Sequence, residues 1–416
     1  MERALLIGIV HSNKDRWQKI DSLEELAALT ETAGGLVVEK ILQIKKDFNP
    51  ATLLGKGKTE EIRILCRQHK INLLIFDDTL TATQIRNLSD QTNVRVIDRT
   101  ALILDIFAQH AKSAEAKAQV ELAQLVHLRT NLIGFGTELS RLGGGIGTRG
   151  PGEKKLEEDR RRIRERIAVL NNVLSKIDKE RAVQRKNRQQ FFKISLAGYT
   201  NAGKSTLMNR LTDAGVKVAP YLFATLDPNT KSLALSENIS VFITDTVGFI
   251  KNLPHELIAS FRATLSEIRN ADLILHIVDV SEERIDDKIT AVENTLCEIG
   301  YGDKPVVMVF NKTDRVIEPE VIRRLKRSYP KGIFISALTG NSIDTLKLKI
   351  LDLTKEQLVT RTFTIPVSRG DLINQIYSTG QVLRRIEKDT KVTIAVKGYR
   401  SILLKLAQTL KDNRKH

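Results

Sequence analysis

The chain has 416 residues, 41% of them hydrophobic, which is enough for two to four domains with buried cores. Its 66 Lys and Arg against 50 Asp and Glu give a formal net charge of +16, which favours a polyanionic partner such as nucleic acid or a membrane surface. Cys66 and Cys297 lie too far apart in sequence for a disulfide framework or a zinc motif, so we expect a reducing, cytoplasmic setting. The first apolar run, residues 4–10, is too short for a membrane span or a signal-peptide core, so we expect no stable membrane insertion.

Residues 1–112 alternate between runs rich in β-branched and apolar residues and amphipathic runs. The runs that predict strands are residues 4–10, 35–42, 72–78 and 94–98, and those that predict helices lie near residues 23–32, 59–69 and 82–90. Alternation of this kind predicts a small α/β domain with a parallel sheet.

Residues 54–59 of this domain end in Gly-Lys-Thr and resemble a phosphate-binding loop. The position five before Gly57, however, is Thr52 rather than glycine, and Pro50 is incompatible with a central strand just before it. We therefore expect the start of a helix that tolerates an anion rather than a second nucleotide site.

Residues 113–190 are rich in Ala, Glu, Leu and Arg and show heptad-like apolar spacing. The apolar positions are Ala118, Leu122, Leu125, Leu132, Leu156, Ile163, Ile167, Leu170, Leu174 and Ile177. This spacing predicts two helices packed as an antiparallel hairpin. Six glycines and a proline in residues 141–153 predict an irregular loop at its tip.

Positive charge is concentrated in this hairpin. Residues 141–188 contain 15 Lys and Arg against 7 Asp and Glu, half of the excess of the whole chain. The arginines that we expect to contact RNA phosphates are Arg141, Arg149, Arg160, Arg161 and Arg162. The alternative is a solvated charged helix face, but the position of the arginines around an irregular loop favours contacts to the RNA backbone.

Residues 198–206, GYTNAGKST, lie between an apolar run and a helix-compatible run, as in a phosphate-binding loop. The two glycines let backbone N–H groups point at a phosphate, Lys204 would reach the β- and γ-phosphates, and the Ser205 hydroxyl would bind Mg²⁺. We expect the whole stretch to line a nucleotide: Gly198, Tyr199, Thr200, Asn201, Ala202, Gly203, Lys204, Ser205 and Thr206.

Two downstream segments match the nucleotide-sensing switches of such domains. In residues 221–230 we expect Thr225 to bind Mg²⁺ and the γ-phosphate, with Thr230 as the alternative. In residues 240–249, Asp245 would hold Mg²⁺ through water and the Gly248 amide would meet the γ-phosphate. Lys204, Thr225 and Gly248 are thus the expected catalytic residues, and Ser205, Thr225 and Asp245 the expected metal site.

Phe249 stands where a water-orienting glutamine is often found, and its side chain cannot hydrogen-bond a water. This predicts slow intrinsic hydrolysis.

Guanine specificity is indicated by Asn311, Lys312, Thr313 and Asp314 at the end of an apolar run. Asp314 can accept two hydrogen bonds from guanine, a pattern that adenine does not offer. Lys312 would lie across the base, and Asn311 would tie this loop to the phosphate loop. The Ser336 side chain and the Ala337 amide could support the base oxygen. These motifs define a nucleotide domain at residues 191–352.

Residues 353–416 read as strand, helix, two strands and helix, a small α+β domain for which packing is the favoured role. The predicted fold class is therefore α/β: a P-loop GTPase domain with an N-terminal parallel-sheet α/β domain, a helical hairpin and a small C-terminal α+β domain.

The set of motifs resembles the HflX family of ribosome-associated GTPases over nearly the whole chain. The resemblance rests on NPATLLGKGK, RLGGGIGTRGPGE, LEEDRRRI, GYTNAGKS, FATLD, DTVGFI, NKTD and SAL. It implies GTP and Mg²⁺ as ligands, binding to the large ribosomal subunit and its rRNA, and splitting or rescue of stalled ribosomes under stress. It also implies nucleotide contacts from three stretches: Phe223, Ala224, Thr225, Leu226 and Asp227; Asp245, Thr246, Val247 and Gly248; Ser336, Ala337 and Leu338.

Three other functions are weighed against this one. The first is an RNA-modification or ribosome-assembly GTPase. RNA modification would need a further catalytic group such as a reactive cysteine motif, which the sequence lacks. An RNA-binding module with vestigial nucleotide binding conflicts with an intact Lys204, Ser205 and Asp245. A membrane-surface role lacks an amphipathic stretch with exposed aromatics. We expect a monomer that does not bind DNA.

Overall fold

The computed structural model describes the chain except residues 11, 13–14, 45–48, 143–150, 188–190, 213–221, 224, 226, 237–238, 252–266, 303, 378 and 413–416. Contacts divide the chain into two compact units. The first comprises Met1–Ile177, Ala219–Asp227 and Lys251–Arg262, and the second comprises Asp178–Val218, Pro228–Ile250 and Ala263–His416. The domain boundaries at residues 112, 190 and 352 stay a prediction.

The first unit contains a four-stranded parallel sheet in the order β2-β1-β3-β4. Its strands are β1 (Arg3–Val10), β2 (Leu36–Ile44), β3 (Leu73–Phe76) and β4 (Arg95–Asp98), and the intervening helices are α1 (Arg16–Thr32), α2 (Lys56–Gln68) and α3 (Ala82–Thr92). The core joins apolar residues of β1, β3 and β4 to those of α2 and α3. The predicted parallel-sheet α/β domain is confirmed.

Three further helices belong to this part of the chain: α4 (Arg99–His110), α5 (Ala114–Leu142) and α6 (Pro151–Asn187). Helices α5 and α6 pack through Ala118, Leu122 and Leu170, as the apolar spacing predicts, and Arg166 forms a bidentate pair with Glu121. The irregular loop predicted over residues 141–153 is too long, since α5 continues to Leu142 and α6 begins at Pro151. Proline fits the first position of a helix because its missing N–H has no intrahelical partner there.

The second unit contains a six-stranded sheet in the order β10-β9-β8-β5-β7-β6, in which only β6 is antiparallel to its neighbour. Its strands are β5 (Phe192–Gly198), β6 (Asn229–Ser236), β7 (Ile239–Asp245), β8 (Leu273–Asp279), β9 (Val306–Asn311) and β10 (Ile333–Phe334). The helices are α7 (Lys204–Thr212), α8 (Ile285–Ile299), α9 (Pro319–Ser328) and α10 (Ile343–Glu356). This is the predicted nucleotide-binding α/β architecture.

The C-terminal part adds a three-stranded antiparallel sheet in the order β11-β13-β12. It consists of β11 (Leu358–Pro366), α11 (Gly370–Tyr377), β12 (Gln381–Lys388), β13 (Lys391–Tyr399) and α12 (Arg400–Asp412). The helix ends at Tyr377, and Gln381 opens β12. Among the described residues no helix is long and apolar enough to cross a membrane.

Candidate nucleotide-binding site

The site gathers at the carboxyl ends of neighbouring parallel strands of the second unit. The register pairs Leu196 with Asp245 and Asp279 with Asn311, so the ends of β5, β7, β8 and β9 meet at one edge of the sheet. Ligands of open α/β sheets bind in the crevice beyond this edge. The tertiary pairing thus brings together motifs that are more than 100 residues apart in sequence.

The loop after β5 has the backbone that a phosphate cradle requires. Gly198 and Gly203 adopt φ values of +156° and +91°, which L side chains rarely adopt. A β-carbon on Gly198 would lie 2.3 Å from the Ile277 carbonyl oxygen, and one on Gly203 would lie 2.3 Å from Asn311 Nδ2. Both positions therefore require glycine, and α7 begins directly after them at Lys204.

Lys204 is buried within the loop that it follows. Its Nζ donates to the carbonyl oxygens of Gly198 at 3.1 Å and Tyr199 at 2.8 Å. Burial lowers the pKa of the ammonium to about 8, against the opposing attraction of the Asp245 carboxylate. The cation is thus held where a phosphate would meet it, and it remains charged at neutral pH.

The predicted metal ligands of this unit lie side by side. The Ser205 hydroxyl donates to Asp245 Oδ2 at 2.6 Å, and the Asp245 side chain is fully buried at the end of β7. A hydroxyl and a carboxylate are oxygen donors of the kind that Mg²⁺ prefers. These residues fit a Mg²⁺ site, in which Ser205 would be a direct ligand and Asp245 would lie behind it.

The segment after Asp245 is tied to the phosphate loop by its backbone. The Phe249 amide donates to the Gly198 carbonyl at 3.1 Å, and the Phe249 carbonyl accepts from the Thr200 amide at 2.7 Å. A β-carbon on Gly248 would lie 3.0 Å from Lys204 Nζ. Sequence reasoning missed this role of Phe249, whose side chain is buried and orients no water.

Thr246 and Val247 complete this segment. The Thr246 hydroxyl donates to the Leu196 carbonyl at 2.6 Å, and both side chains are buried. The alternative metal residue Thr230 lies in β6, where its hydroxyl shares a hydrogen bond with that of Thr244 at 2.9 Å.

The base-recognition loop is fastened as predicted through Asn311. Its Nδ2 donates to the Ala202 carbonyl of the phosphate loop at 2.9 Å, and its Oδ1 accepts from the Ala337 amide at 2.9 Å. The Ala337 amide thus bonds Asn311 in this structure, and its contact to the base oxygen stays a prediction.

Lys312 adopts φ +66°, and its ammonium pairs with the Asp279 carboxylate at 2.6 Å. Asp279 was not predicted, although it ends a buried strand and also accepts from the amide and hydroxyl of Ser281. Thr313 and Asp314 begin a single 3₁₀ turn, in which the Asp314 side chain is exposed. Ser336 is buried and its hydroxyl accepts from the Thr339 amide at 3.1 Å, whereas Leu338 is exposed.

The remaining predicted nucleotide residues belong to the first unit. The rings of Phe223 and Phe107 meet edge to face with centroids 4.6 Å apart, and Thr225 is half-buried. Asp227 accepts hydrogen bonds from Ser113 just before α5. Ala224 and Leu226 lie outside the described residues, and the contact of this segment with nucleotide stays a prediction.

The predicted RNA-binding arginines lie on or beside the helical hairpin. Arg141 is near the end of α5, and Arg149 lies outside the described residues. On α6, Arg162 pairs with Glu158 at 2.7 Å and Arg161 with Glu165 at 3.7 Å, while Arg160 is half-buried. Exposed pairs of this kind contribute about 1 kcal/mol or less, so these arginines can exchange a carboxylate for a phosphate at little cost.

The Gly-Lys-Thr of the N-terminal sheet does not form a phosphate cradle. Gly55 is the N-cap of α2 with φ −77°, Lys56 begins the helix, and the Thr59 hydroxyl donates to the Gly55 carbonyl at 3.2 Å. Residues 49–54 form turns rather than a strand leading into the helix. The expectation of a simple helix start is confirmed.

Comparison with known proteins gives three consecutive family matches. They are "GTP-binding GTPase N-terminal" at residues 20–108, "GTP-binding GTPase Middle Region" at residues 110–188 and "50S ribosome-binding GTPase" at residues 193–312. A solved structure, "crystal structure of SsGBP and GDP complex", aligns with a TM-score of 0.47 and 25% identity over 86% of this chain and 99% of that chain.

Two curated relatives align along almost the whole chain. GTPase HflX of Caldanaerobacter subterraneus subsp. tengcongensis is 44% identical over 92% of this chain and 87% of the relative. GTPase HflX of Escherichia coli strain K12 is 39% identical over 95% of this chain and 93% of the relative. With the phosphate loop, the buried Ser205–Asp245 pair and the Asn311 loop assembled at one sheet edge, the chain belongs to the HflX family of GTPases.

Proposed function

We propose that this GTPase is a nucleotide-dependent switch that binds the large ribosomal subunit and its rRNA through the helical hairpin, and that it splits or rescues stalled ribosomes under stress. GTP and Mg²⁺ are the ligands, and the protein acts as a cytoplasmic monomer without DNA or membrane partners. The proposal needs a physical route from the nucleotide to the hairpin. Three contacts of the first unit support such a route.

The contact that carries the proposal joins Asp227 to the start of α5. The Ser113 hydroxyl accepts from the Ala116 amide at 3.0 Å and the Ser113 carbonyl from the Lys117 amide at 3.0 Å, so Ser113 is the N-cap of this helix. The same serine donates its amide to Asp227 at 3.2 Å and its hydroxyl to the other carboxylate oxygen. A carboxylate here is favoured because the positive end of the helix dipole attracts it.

Two other contacts fasten the nucleotide-sensing segments to the N-terminal helices. The Leu222 amide donates to the Thr32 hydroxyl at 3.3 Å, next to the Phe223 ring that packs on Phe107. The buried guanidinium of Arg99 donates to the Lys251 carbonyl at 3.3 Å, just after the Asp245–Gly248 motif. Leu222 within the first sensing segment and Lys251 just after the second are therefore bonded to the unit that bears the hairpin.

The residues of the site have separate tasks in this switch. Lys204 and the backbone N–H groups of the loop bind and orient the phosphates, and Ser205 and Asp245 hold the metal, which supplies positive charge to the γ-phosphate. A segment that is ordered by the γ-phosphate changes position when that group is lost. Through Asp227, such a change would reorient α5, and with it the arginines of α6.

Phe249 supports a dependence on the partner. Its buried side chain cannot hydrogen-bond a water, and none of the expected catalytic residues replaces a water-orienting glutamine. We infer that the ribosome stimulates hydrolysis by ordering the segments around the γ-phosphate. Cys66 is unsuited to an RNA-modification role, because burial raises the pKa of its thiol to about 11 and keeps it unreactive at neutral pH.

The test is the equilibrium affinity for isolated large ribosomal subunits with a non-hydrolysable GTP analogue and with GDP. We expect the analogue to tighten binding at least tenfold in the wild type. Ser113→Gly removes the hydroxyl that reaches Asp227 but costs the helix only a few tenths of a kcal/mol, because glycine is an acceptable N-cap. This variant should lose most of the nucleotide dependence while its affinity for GTP stays unchanged.

The matched control is Thr130→Ala. Thr130 lies on the same helix, and its exposed hydroxyl bonds only the Val126 carbonyl at 3.1 Å. This variant should keep the full nucleotide dependence. Equal affinities with the analogue and GDP in the wild type would refute the switch, and a full dependence in Ser113→Gly would refute the route through Asp227.

A further inference from the structure

The antiparallel sheet of the C-terminal part has one covered and one open face. The covered face carries Phe363, Ile365, Val392, Ile394 and Val396, which pack on α11 and α12. Paired residues of an antiparallel sheet share a face, so the register defines the residues opposite to these. One end row of this side, Leu358 and Tyr399, packs on the nucleotide-binding sheet. The remaining residues form four rows: Thr360, Lys397 and Gln381; Thr362, Ala395 and Arg384; Thr364, Thr393 and Ile386; Pro366, Lys391 and Lys388.

These four rows, which we call the threonine-basic face, contain four threonines, four cations and no carboxylate. All three strands lie within the described residues. The cations Arg384, Lys388, Lys391 and Lys397 are exposed and form no ion pair with any described residue. The two carboxylates adjacent to Lys388 are Glu387, on the covered side opposite Val392, and Asp389, in the turn beyond the last row.

The contrast with the other basic residues of this part of the chain is informative. Arg385 lies on the covered side, opposite Ile394, and pairs with Glu387, while Arg369 pairs with Asp371 at 2.9 Å. Arg384 and Arg385 are neighbours on one strand, but only Arg385, on the covered side, forms an ion pair with a carboxylate. Arg361, opposite Val396 on the covered side, also forms no ion pair with a described residue, so what distinguishes the open face is its four unpaired cations together without a carboxylate.

The chemistry of the face fits a phosphodiester backbone better than a protein. Hydroxyl and cationic donors are the side chains that contact phosphate and sugar oxygens. Alternate residues of a strand are about 6.7 Å apart and neighbouring strands about 4.8 Å, so the cations are spread over the face rather than concentrated at one point. The apolar side chains of the four rows are Ala395, Ile386 and Pro366, and Leu383 is exposed at the bulge beside them. None of them is an aromatic anchor of the kind that dominates protein interfaces.

We infer that the threonine-basic face is a second RNA-binding surface, which contacts the rRNA backbone without reading sequence. The four rows contain no aromatic residue, so base stacking is not expected there. Tyr399 of β13 packs against Phe192 of the nucleotide-binding sheet with ring centroids 5.5 Å apart, so the small sheet is fixed to that domain. The inference rests on the proposed function in one respect, which is that the RNA is ribosomal.

The experiment measures the salt dependence of binding to purified large-subunit rRNA with the full-length protein. Each lost phosphate contact lowers the slope of log affinity against log salt by about 0.7 to 0.9. A variant with Arg384, Lys388, Lys391 and Lys397 all changed to Gln should lower the slope by about 3 and weaken binding at least tenfold at low salt. Arg385→Gln, on the same strand but the covered side, should leave both unchanged.

Thermal unfolding and GTP affinity of the fourfold variant should equal those of the wild type, because the four side chains are exposed and unpaired. An unchanged salt slope would overturn the inference. So would a variant that binds naked rRNA normally but the intact large subunit weakly, since the face would then contact a ribosomal protein. A failure of the proposed function would give a different result from a failure of this inference. The wild type would then bind large subunits with equal affinity in the presence of GTP analogue and of GDP.

Discussion

Two stretches of this chain contain glycine, lysine and a hydroxyl residue in succession at the start of a helix, and only one of them forms a phosphate cradle. At residues 198–206, a buried strand leads into the loop, and two glycines adopt positive φ angles. At residues 54–59, turns precede the helix, and Lys58 points outward to Glu61 at 2.6 Å. The difference shows that the backbone before the lysine, rather than the lysine itself, defines the site.

The largest effect should come from removing the lysine of the cradle. Lys204→Ala deletes the cation that faces the phosphates inside a buried loop, and we expect GTP affinity to fall about a thousandfold, or about 4 kcal/mol. Lys58→Ala is the matched change in the other stretch and should alter the affinity less than twofold. Equilibrium titration with a fluorescent GTP analogue measures both, and a similar loss in Lys58→Ala would contradict the comparison.

The second effect is a pH dependence confined to the nucleotide-binding sheet. His276 of β8 is buried, and burial together with the nearby Lys204 cation lowers the pKa of its imidazole to about 4 from 6.5. Because the folded pKa is the lower one, the unfolded state binds more protons below pH 6.5, and stability falls as pH drops from 6.5 to 4. The expected loss is about 3 kcal/mol.

Chemical denaturation of the nucleotide-free protein at several pH values measures this loss of unfolding free energy. In His276→Gln the part of the loss that comes from the imidazole should disappear. NMR titration of the wild-type imidazole gives the same answer without a variant. A pKa near 6.5 for His276 in the folded protein would show that the imidazole is not held neutral beneath the loop.

A third effect separates the glycines of the two stretches. Gly203→Ala places a β-carbon against Asn311, whose side chain is held by two hydrogen bonds, and should destabilise the fold by about 2 kcal/mol. The contact with Asn311 causes both the strain and the loss of its hydrogen bonds. The double variant Gly203→Ala with Asn311→Ala should therefore lose less unfolding free energy than the sum of the two single variants. Denaturation midpoints measure the cycle, and strict additivity would exclude the contact.

The smallest effect, of opposite sign, is expected at Gly57. This residue lies in the first turn of α2, and a β-carbon there would have no neighbour within 4 Å. Gly57→Ala should stabilise the protein by up to about 1 kcal/mol, because alanine loses less backbone entropy in a helix. A loss of stability or of nucleotide affinity on this change would mean that Gly57 has the role of Gly203.

The sequence was sufficient for the parts of the site that depend on local backbone. Glycine spacing and a preceding apolar run predicted the loop at residues 198–206, and the same rule rejected residues 54–59. Helix α4 was not predicted, because its apolar run between Thr100 and Ala108 shows no clear period, whereas the Asp98 side chain caps it by accepting from the Ala101 amide at 2.9 Å.

The contacts that depend on strand register could not be read from the sequence. Lys312 reaches Asp279 because β8 and β9 pair Asp279 with Asn311, and Phe249 bridges to Tyr199 because β5 and β7 are neighbours. The bond between Ser113 and Asp227 joins residues 114 positions apart. Each residue type is common, so only the tertiary structure distinguishes these partners from others.

The most direct test of the comparison is the number of GTP analogue molecules bound per chain, measured by isothermal titration of the nucleotide-free protein. We expect one site in the wild type and in Lys58→Ala, and none in Lys204→Ala. A second site that survives Lys204→Ala and disappears in Lys58→Ala would contradict the assignment of the nucleotide to residues 198–206 alone.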